Sequence, residues 1–398
     1  MLVSLLPQLQ DVRWILDAAP LSHLFVNLAG GGLVRLMPAL RRPKVFWLVS
    51  VVFSVVAFGQ AVSGYLLIVL AAYGLIAGMA WGCRRSRSQR KSRWFWAVLA
   101  MLALSGVFLA GRQFAWEGQG AEVMGHRLVW YSLNMWGFLR LLTLLWEFGA
   151  GRIERPGMRS YLAWCCLPFT LVGPLLRYSD FAQQIGKEDV AESREAPGAS
   201  VWARDLLVGV GQVLLGLSLS GLQLYLGNDL VWWGRAALWF GIAPWSFYLI
   251  WCGYFRVMEC MARCWGLRLS SSFRLPFGRR NISEFWANWN MTATAVFRDY
   301  CFYNRWGMKR ASVYLNTIIL FTLVGLWHGA SGYWVIWGLL HGVGFSLFLW
   351  YKANRQRFTE WHRPALAKPI RFVSAMATYI FVCSCWVLPP HVLKLIVR

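Results

Sequence analysis

Residues 311–351 contain no Asp, Glu, Lys or Arg, yet they carry two imidazoles, His328 and His341. A transmembrane helix needs about 20 mostly apolar residues, so this run is long enough to enter a bilayer. An ionisable group at bilayer depth is costly, and one found there lines a cavity or a reaction path more often than it faces lipid. Histidine is also the side chain whose proton exchange suits catalysis near neutral pH. The stretch therefore points to chemistry inside a membrane.

The rest of the chain has the same character. It is 58% hydrophobic and only 14% charged, with 26 Trp among 398 residues. Soluble domains are nearer half apolar and a quarter charged. Apolar runs occur at Val45–Trp81 (long enough for two spans), Trp94–Leu109, Leu128–Trp146, Tyr161–Leu176, Asp205–Leu226, Leu238–Phe255, Leu315–Leu326, Tyr333–Trp350 and Phe372–Leu388. Together they predict an all-α polytopic membrane protein of roughly nine to eleven spans. Leu21–Met37, with Gly30-Gly31-Gly32 and Arg35, reads as an interfacial or broken helix. Met1–Leu6 is too short for a signal core and has no basic flank, so no cleaved leader is expected.

The net charge of +23 would suit nucleic acid, but its placement does not. Basic residues gather in short loops: Arg41-Arg42-Pro43-Lys44, Arg84 to Arg93, Arg279-Arg280, Lys309-Arg310 and Lys352 to Arg371. Such clusters mark cytoplasmic loops and attract anionic lipid headgroups, and no nucleic-acid partner is expected. The nine cysteines form no paired CxxC pattern, so neither a disulfide framework nor a metal site is expected. Cys260 and Cys264, one turn apart, read as buried small hydrophobes. Gln183–Ser200 is a polar loop between spans. With no internal repeat, residues 1–398 read as one integral-membrane domain.

Two motifs carry polar chemistry. The first runs from Ile282-Ser283-Glu284-Phe285-Trp286 through Asn288-Trp289-Asn290 to Phe297-Arg298-Asp299-Tyr300. It is too short and too mixed to span, and polar groups at membrane depth need protein or a water-filled cavity around them, so a re-entrant segment fits. Ser283 suits its helix N-cap. The second is Trp327-His328-Gly329 followed by Trp337-Gly338-Leu339-Leu340-His341-Gly342. On one continuous helix the two histidines would lie roughly 140° apart around the axis. A helix break at Gly329 and Gly332 would let them converge.

Together these motifs resemble the membrane-bound O-acyltransferase family, in particular its bacterial members that esterify cell-surface polymers by alginate O-acetylation or teichoic-acid D-alanylation. Those members carry an E-F-W-x-R-W-H run ending in F-R-D-Y, then W-H-G, then W-G-x-x-H-G. Leu167-Pro168 through Gly173-Pro174-Leu175-Leu176-Arg177-Tyr178, and Tyr254 through Ala262-Arg263 and Gly266 to Phe273 and Pro276, resemble two further family segments. The likeness runs in order from Leu167 to Trp350, a family-like core of about residues 160–351. It departs at Asn290, where the bacterial members have His, at Arg256, where they have Asp, and at Asn288, where they have Arg. Asn stands at the first of these positions in other branches of the family.

The resemblance implies a bundle of transmembrane helices with re-entrant segments and an O-acyltransferase activity. Transfer from a thioester to an alcohol needs a base for the hydroxyl proton and a donor for the developing oxyanion. His328 fits the base, and Asn290 fits the orienting or oxyanion-stabilising partner. His341 is a secondary candidate, expected to hydrogen-bond across helices beside the histidine pocket. Arg298 and Asp299 form either a structural ion pair or a contact to a phosphate or carrier. Arg177 either anchors a helix end or touches the donor. Arg256, Glu259 and Arg263 share one helical face of compensating charges. The implied donor is a cytoplasmic acyl thioester, with acetyl coenzyme A the most economical, and no tightly bound cofactor is expected. The implied partners are a periplasmic or membrane-anchored esterase-fold protein and a surface polysaccharide, and the implied location is a bacterial inner membrane. Two other readings fit the same residues: a transporter or flippase without covalent chemistry, and a catalytically inactive scaffold.

Overall fold

A computed structural model of the chain describes residues 29–34, 36–37, 43–58, 61–84, 89–117, 135–167, 173–185, 199–227, 230–302, 313–355 and 367–396. Outside this set lie His23, His126, His362, most of the polar loop after Gln183, the Lys309-Arg310 cluster and much of the Lys352 to Arg371 cluster. Every regular element among the described residues is helical. Among the described residues, six helical stretches are long and apolar enough to cross a membrane: Tyr65–Gly82, Lys91–Ala110, Ser200–Gly227, Trp233–Cys264, Gly332–Asn354 and Lys368–Leu393. The chain is a multi-pass membrane protein.

Six is fewer than the apolar runs in the sequence suggest, for identifiable reasons. Val45–Val56 and Val313–His328 are apolar but short. Tyr161–Leu176 is no span, since its helix stops at Cys165 and Gly173 takes a backbone that ends any continuation. Of Leu128–Trp146, residues 128–134 lie outside the described set, and the helix that follows carries a fully enclosed Arg140 and a buried Glu147.

The backbone divides into two compact units. One comprises residues 14–208 and 256–270. It holds α1 (Pro43–Phe58), α2 (Ala61–Arg84), α3 (Gln89–Glu117), α4 (Met135–Gly149), α5 (Met158–Cys165) and α6 (Tyr178–Ile185), with the start of α7 (Ala199–Gly227). Its centre is α4, which is buried nearly all round. Phe108 on α3 stacks on Phe138 of α4 at 4.0 Å, and Gly149 lets α4 approach Ala97 closely. A charge such as that of Arg140 can be enclosed only if it is paired or hydrogen-bonded. The guanidinium donates to the Trp164 carbonyl and stacks 4.5 Å from the Trp164 ring. Glu147 accepts from Ser179 Oγ at 2.9 Å. The glycines before α1 belong here as well, because Gly30 and Gly31 are buried against Phe53, Cys264 and Trp265, where a side chain would not fit. The compensating-charge face expected for Arg263 takes a different partner: Arg263 Nη1 pairs with Asp205 Oδ2 on α7 at 2.9 Å. Cys260 and Cys264 are buried, as the sequence suggests.

The second unit comprises residues 209–255 and 271–398, together with residues 1–13. It contains most of α7, then α8 (Trp232–Gly241) and α9 (Ala243–Cys264) as far as Phe255. After these come two short helices, α10 (Ile282–Trp286) and α11 (Met291–Val296), and a π-helical turn at Phe297–Phe302. Three long elements complete it: α12 (Val313–His328), α13 (Gly332–Asn354) and α14 (Ala367–Ile396). Lipid tails are as apolar as these helices, so packing depends on close backbone approach at small residues. Gly216 on α7 sits over Ser246 and Ile250 of α9, and Ser246 Oγ donates to the Gly216 carbonyl at 2.8 Å. The tightest seam joins α12 to α13: a side chain at Gly325 would strike the backbone of Trp334, one at Gly338 that of Phe321, and one at Gly342 that of Ile318.

Candidate active site

The break between the two histidines decides their geometry. α12 ends at His328, and α13 begins at Gly332. Residues 329–331 turn the chain back, and Gly329 lies so close to the Trp334 ring that a Cβ would collide with it. The two imidazoles consequently reach the same indole: His328 lies 5.4 Å from Trp337, and His341 lies 4.5 Å from it. Of the two arrangements that the sequence allows, the folded chain takes the convergent one.

The surroundings of the two rings differ. His328 is half-buried and stacks on Trp334 at 4.8 Å with the planes 19° apart. His341 is fully enclosed, with Trp286 at 5.2 Å, Phe321 at 6.0 Å and Phe381 at 5.9 Å. It lies beside the Gly338–Gly342 seam, which explains how an α13 side chain comes to rest on Phe321 of α12. Neither ring nitrogen of His341 has a hydrogen-bond partner among the described residues, so the expected cross-helix hydrogen bond is not made and aromatic contacts hold the ring. A buried polar atom without a partner is uncommon and marks a place where a ligand or water completes the set.

His341 lines a cavity in this unit. Its wall is largely aromatic, formed by Trp286, Trp289, Trp337 and Trp386 with Phe247 and Phe285. The wall carries no acidic or basic side chain besides the imidazole. The indole nitrogens of Trp286 and Trp337 also lack partners among the described residues.

In the segment before α12, two short helices and a π-turn stand in place of one long helix. Its N-cap is Asn281, not Ser283: Asn281 Oδ1 accepts from the Glu284 N–H at 2.9 Å, and Glu284 accepts in return from Asn281 Nδ2 at 2.9 Å and from the Arg280 N–H at 3.2 Å. Reciprocal bonds of this kind satisfy the free donors of a helix start. Asn290 caps α11 in the left-handed region, at φ 40° and ψ 55°. It is the sole non-glycine residue with positive φ among the described residues. Asn tolerates this conformation better than most side chains. The conformation is pinned on both sides, since the Met291 N–H donates to the Ser272 carbonyl at 2.7 Å and the Thr294 N–H to that of Asn290 at 2.9 Å. Asn290 Oδ1 is buried and has no partner among the described residues. Asn290 thus sets a buried amide oxygen on a constrained backbone, one residue from Trp289 of the cavity wall.

Arg298 and Asp299 pair with each other at 2.9 Å, with Arg298 52% and Asp299 27% exposed. The preceding Phe297 packs 5.6 Å from Trp327, the neighbour of His328. Arg177 lies in the other unit, at the start of α6, where its carbonyl accepts from the Phe181 N–H. The structure thus gathers His328 and His341 with the segment bearing Asn290, Arg298 and Asp299 in one unit. Sequence reasoning passed over the aromatic wall, because a Trp at helical spacing reads as packing, and over Trp386, which comes from a distant helix.

Residues 92–388 match the membrane-bound O-acyltransferase family. The chain is 31% identical over 113 residues to a peptidoglycan O-acetyltransferase of Helicobacter pylori, covering 28% of this chain and 21% of that one. It is 25% identical over 279 residues to the probable alginate O-acetylase AlgI of Pseudomonas aeruginosa, covering 68% of this chain and 50% of the relative. It is 28% identical over 143 residues to a teichoic acid D-alanyltransferase of Bacillus subtilis, covering 33% and 34%. The chain therefore spans at most about half the length of these relatives. The matched region takes in both histidines, the capped segment with Asn290 and most of α14, and the chain belongs to the membrane-bound O-acyltransferase family.

Proposed function

We propose that the chain is an O-acyltransferase that moves a small acyl group, acetyl in the simplest case, from a cytoplasmic thioester to a hydroxyl on a surface polysaccharide or a relay partner. The observation that carries this reading is the convergence of His328 and His341 on Trp337 beside a cavity with unpartnered polar atoms.

In this mechanism His328 takes the proton of the acceptor hydroxyl as its oxygen attacks the thioester carbonyl. The tetrahedral oxyanion is met by a hydrogen-bond donor, the Asn290 amide. As the intermediate collapses the carbon–sulfur bond breaks, and the imidazolium returns its proton to the departing thiolate. Ester and free thiol are the products, and the imidazole ends neutral. The aromatic wall keeps water away from the acyl group, which limits loss to hydrolysis. His341 lines the wall as a second imidazole. Acetyl coenzyme A serves as the donor. The acceptor reaches the site from the opposite membrane face, in a bacterial inner membrane, and an esterase-fold partner completes delivery to the polymer. The relatives' names, O-acetylase, O-acetyltransferase and D-alanyltransferase, support the reaction class.

The test is the set of carboxylic acids released by mild base from surface polymers, measured by mass spectrometry in cells that express wild type or His328→Ala at matched levels. One acid should fall in the variant, and its identity names the acyl group. No change would remove either the polymer acceptor or the role of His328.

Asn290 separates backbone from chemistry. Asn290→Gly keeps a residue that enters the left-handed region freely, so thermal stability should stay within about 1 kcal/mol of wild type. Acyl transfer should fall by about 10²–10³-fold, because the amide donor is gone. Unchanged transfer in thiol-release assays would leave Asn290 a purely conformational residue.

A further inference from the structure

We infer that Tyr333 is a positioning residue that latches the start of α13 onto a proline-made gap in α14 and thereby sets both the His328 stack and the wall of the cavity. The inference rests on the site proposed above.

α14 continues as a helix through Pro389 and Pro390. A proline has no N–H, so the carbonyl four residues before it loses its helical donor. For Pro390 that carbonyl belongs to Trp386. In apolar surroundings an unfilled carbonyl is costly, and a side chain from a neighbouring helix can restore the bond. Tyr333 does so: its hydroxyl donates to the Trp386 carbonyl at 2.8 Å. The two helices are also close one residue earlier, where a side chain at Gly332 would meet Leu393 at 2.8 Å.

Both ends of this hydrogen bond lead to the site. On the α13 side, the next residue is Trp334, the ring on which His328 stacks. On the α14 side, the Trp386 ring lines the cavity and lies 5.8 Å from Trp334 and 5.5 Å from Trp337. The bond therefore ties the platform of one imidazole to a wall residue from another helix. Tyr333 contacts neither reacting atom; it acts through Trp334 and Trp386. The hydroxyl is needed because residue 390 is proline, and this dependence makes the latch testable by a double-mutant cycle.

The experiment compares wild type, Tyr333→Phe, Pro390→Ala and the double variant as full-length protein in detergent, each confirmed as folded by size exclusion. Two readouts are taken. One is thiol release from acetyl coenzyme A in membranes, resolved into kcat and KM. The other is the rate at which diethyl pyrocarbonate modifies His328, followed by peptide mass spectrometry, which does not require the chain to be an enzyme. Tyr333→Phe should lower kcat by about tenfold at unchanged KM, since small misplacements of a catalytic group cost rate rather than binding. It should also speed His328 modification severalfold as the Trp334 stack loosens. Both effects should shrink in the Pro390→Ala background, where an alanine N–H fills the Trp386 carbonyl. Tyr333→Phe behaving like wild type, or being equally impaired in both backgrounds, would overturn the latch. If wild type releases no thiol, the acyltransfer reading fails, and the modification rates alone still decide the latch.

Discussion

Replacing His328 by alanine should lower acyl transfer by about 10²–10⁴-fold while leaving a folded protein, as expected for removal of a general base. The imidazole is half-buried and packs against the Trp327, Trp334 and Trp337 rings, a stacking whose loss should cost about 1 kcal/mol. His328→Gln, which keeps bulk and polarity, should be as slow as alanine if proton transfer is the role. Thiol release by wild type and both variants checks both outcomes. A glutamine variant near wild-type rate would make the residue structural and return attention to His341.

Gly338→Val should abolish the folded protein, or lower its stability by about 3 kcal/mol or more. Added volume at a close-packed site commonly costs 1–3 kcal/mol, and more where nothing can yield. At Gly338 the atoms that a Cβ would meet are main chain, including the carbonyl carbon of Phe321 at 2.9 Å and Cα of Thr322 at 2.9 Å. A flexible side chain could rotate away, whereas a helix backbone cannot. Total stabilities are only about 5–15 kcal/mol, so such a loss is visible. Gly221→Val is the matched control, because nothing lies within 4 Å of a Cβ there. Fluorescence-detected size exclusion after a heat step should show the first variant aggregated at temperatures where the second and wild type remain intact. Equal behaviour of the two would mean that α12 and α13 have room to separate.

Much of the fold was legible because its signal is local. Runs without charge gave the long helices, and Gly329 and Gly332 marked the one break that mattered. The motif residues pointed to one region of chemistry. What stayed hidden depended on partners far away in sequence. Ser283 looks like a helix cap, yet Asn281 makes the reciprocal bonds with Glu284, since both residues suit the role and only the chain direction before the helix decides. Arg263 shares a helical face with Glu259, but its pairing partner Asp205 comes from another helix. Gly338 and Gly342 stand four apart, a spacing that suits helix contact, but the helix they touch cannot be read from spacing. The run Tyr161–Leu176 is apolar enough for a span, and composition cannot reveal that its helix stops at Cys165. Trp386 and Tyr333 were indistinguishable from ordinary interface aromatics until α14 was placed beside α13.

The turn at residues 329–331 also has a consequence for biogenesis. α12 has 16 residues, short of the length that holds a segment across a bilayer by itself, and His328 is its last residue. α13 has 23 and follows after three residues. During synthesis the first helix thus has little reason to settle until the second has left the ribosome, and the pair is suited to enter the membrane as a hairpin whose glycine seam closes on insertion. His328 and His341 would then acquire their shared indole in the same step that gives this part of the chain its topology, and a chain that failed to insert correctly would carry no half-formed, reactive site.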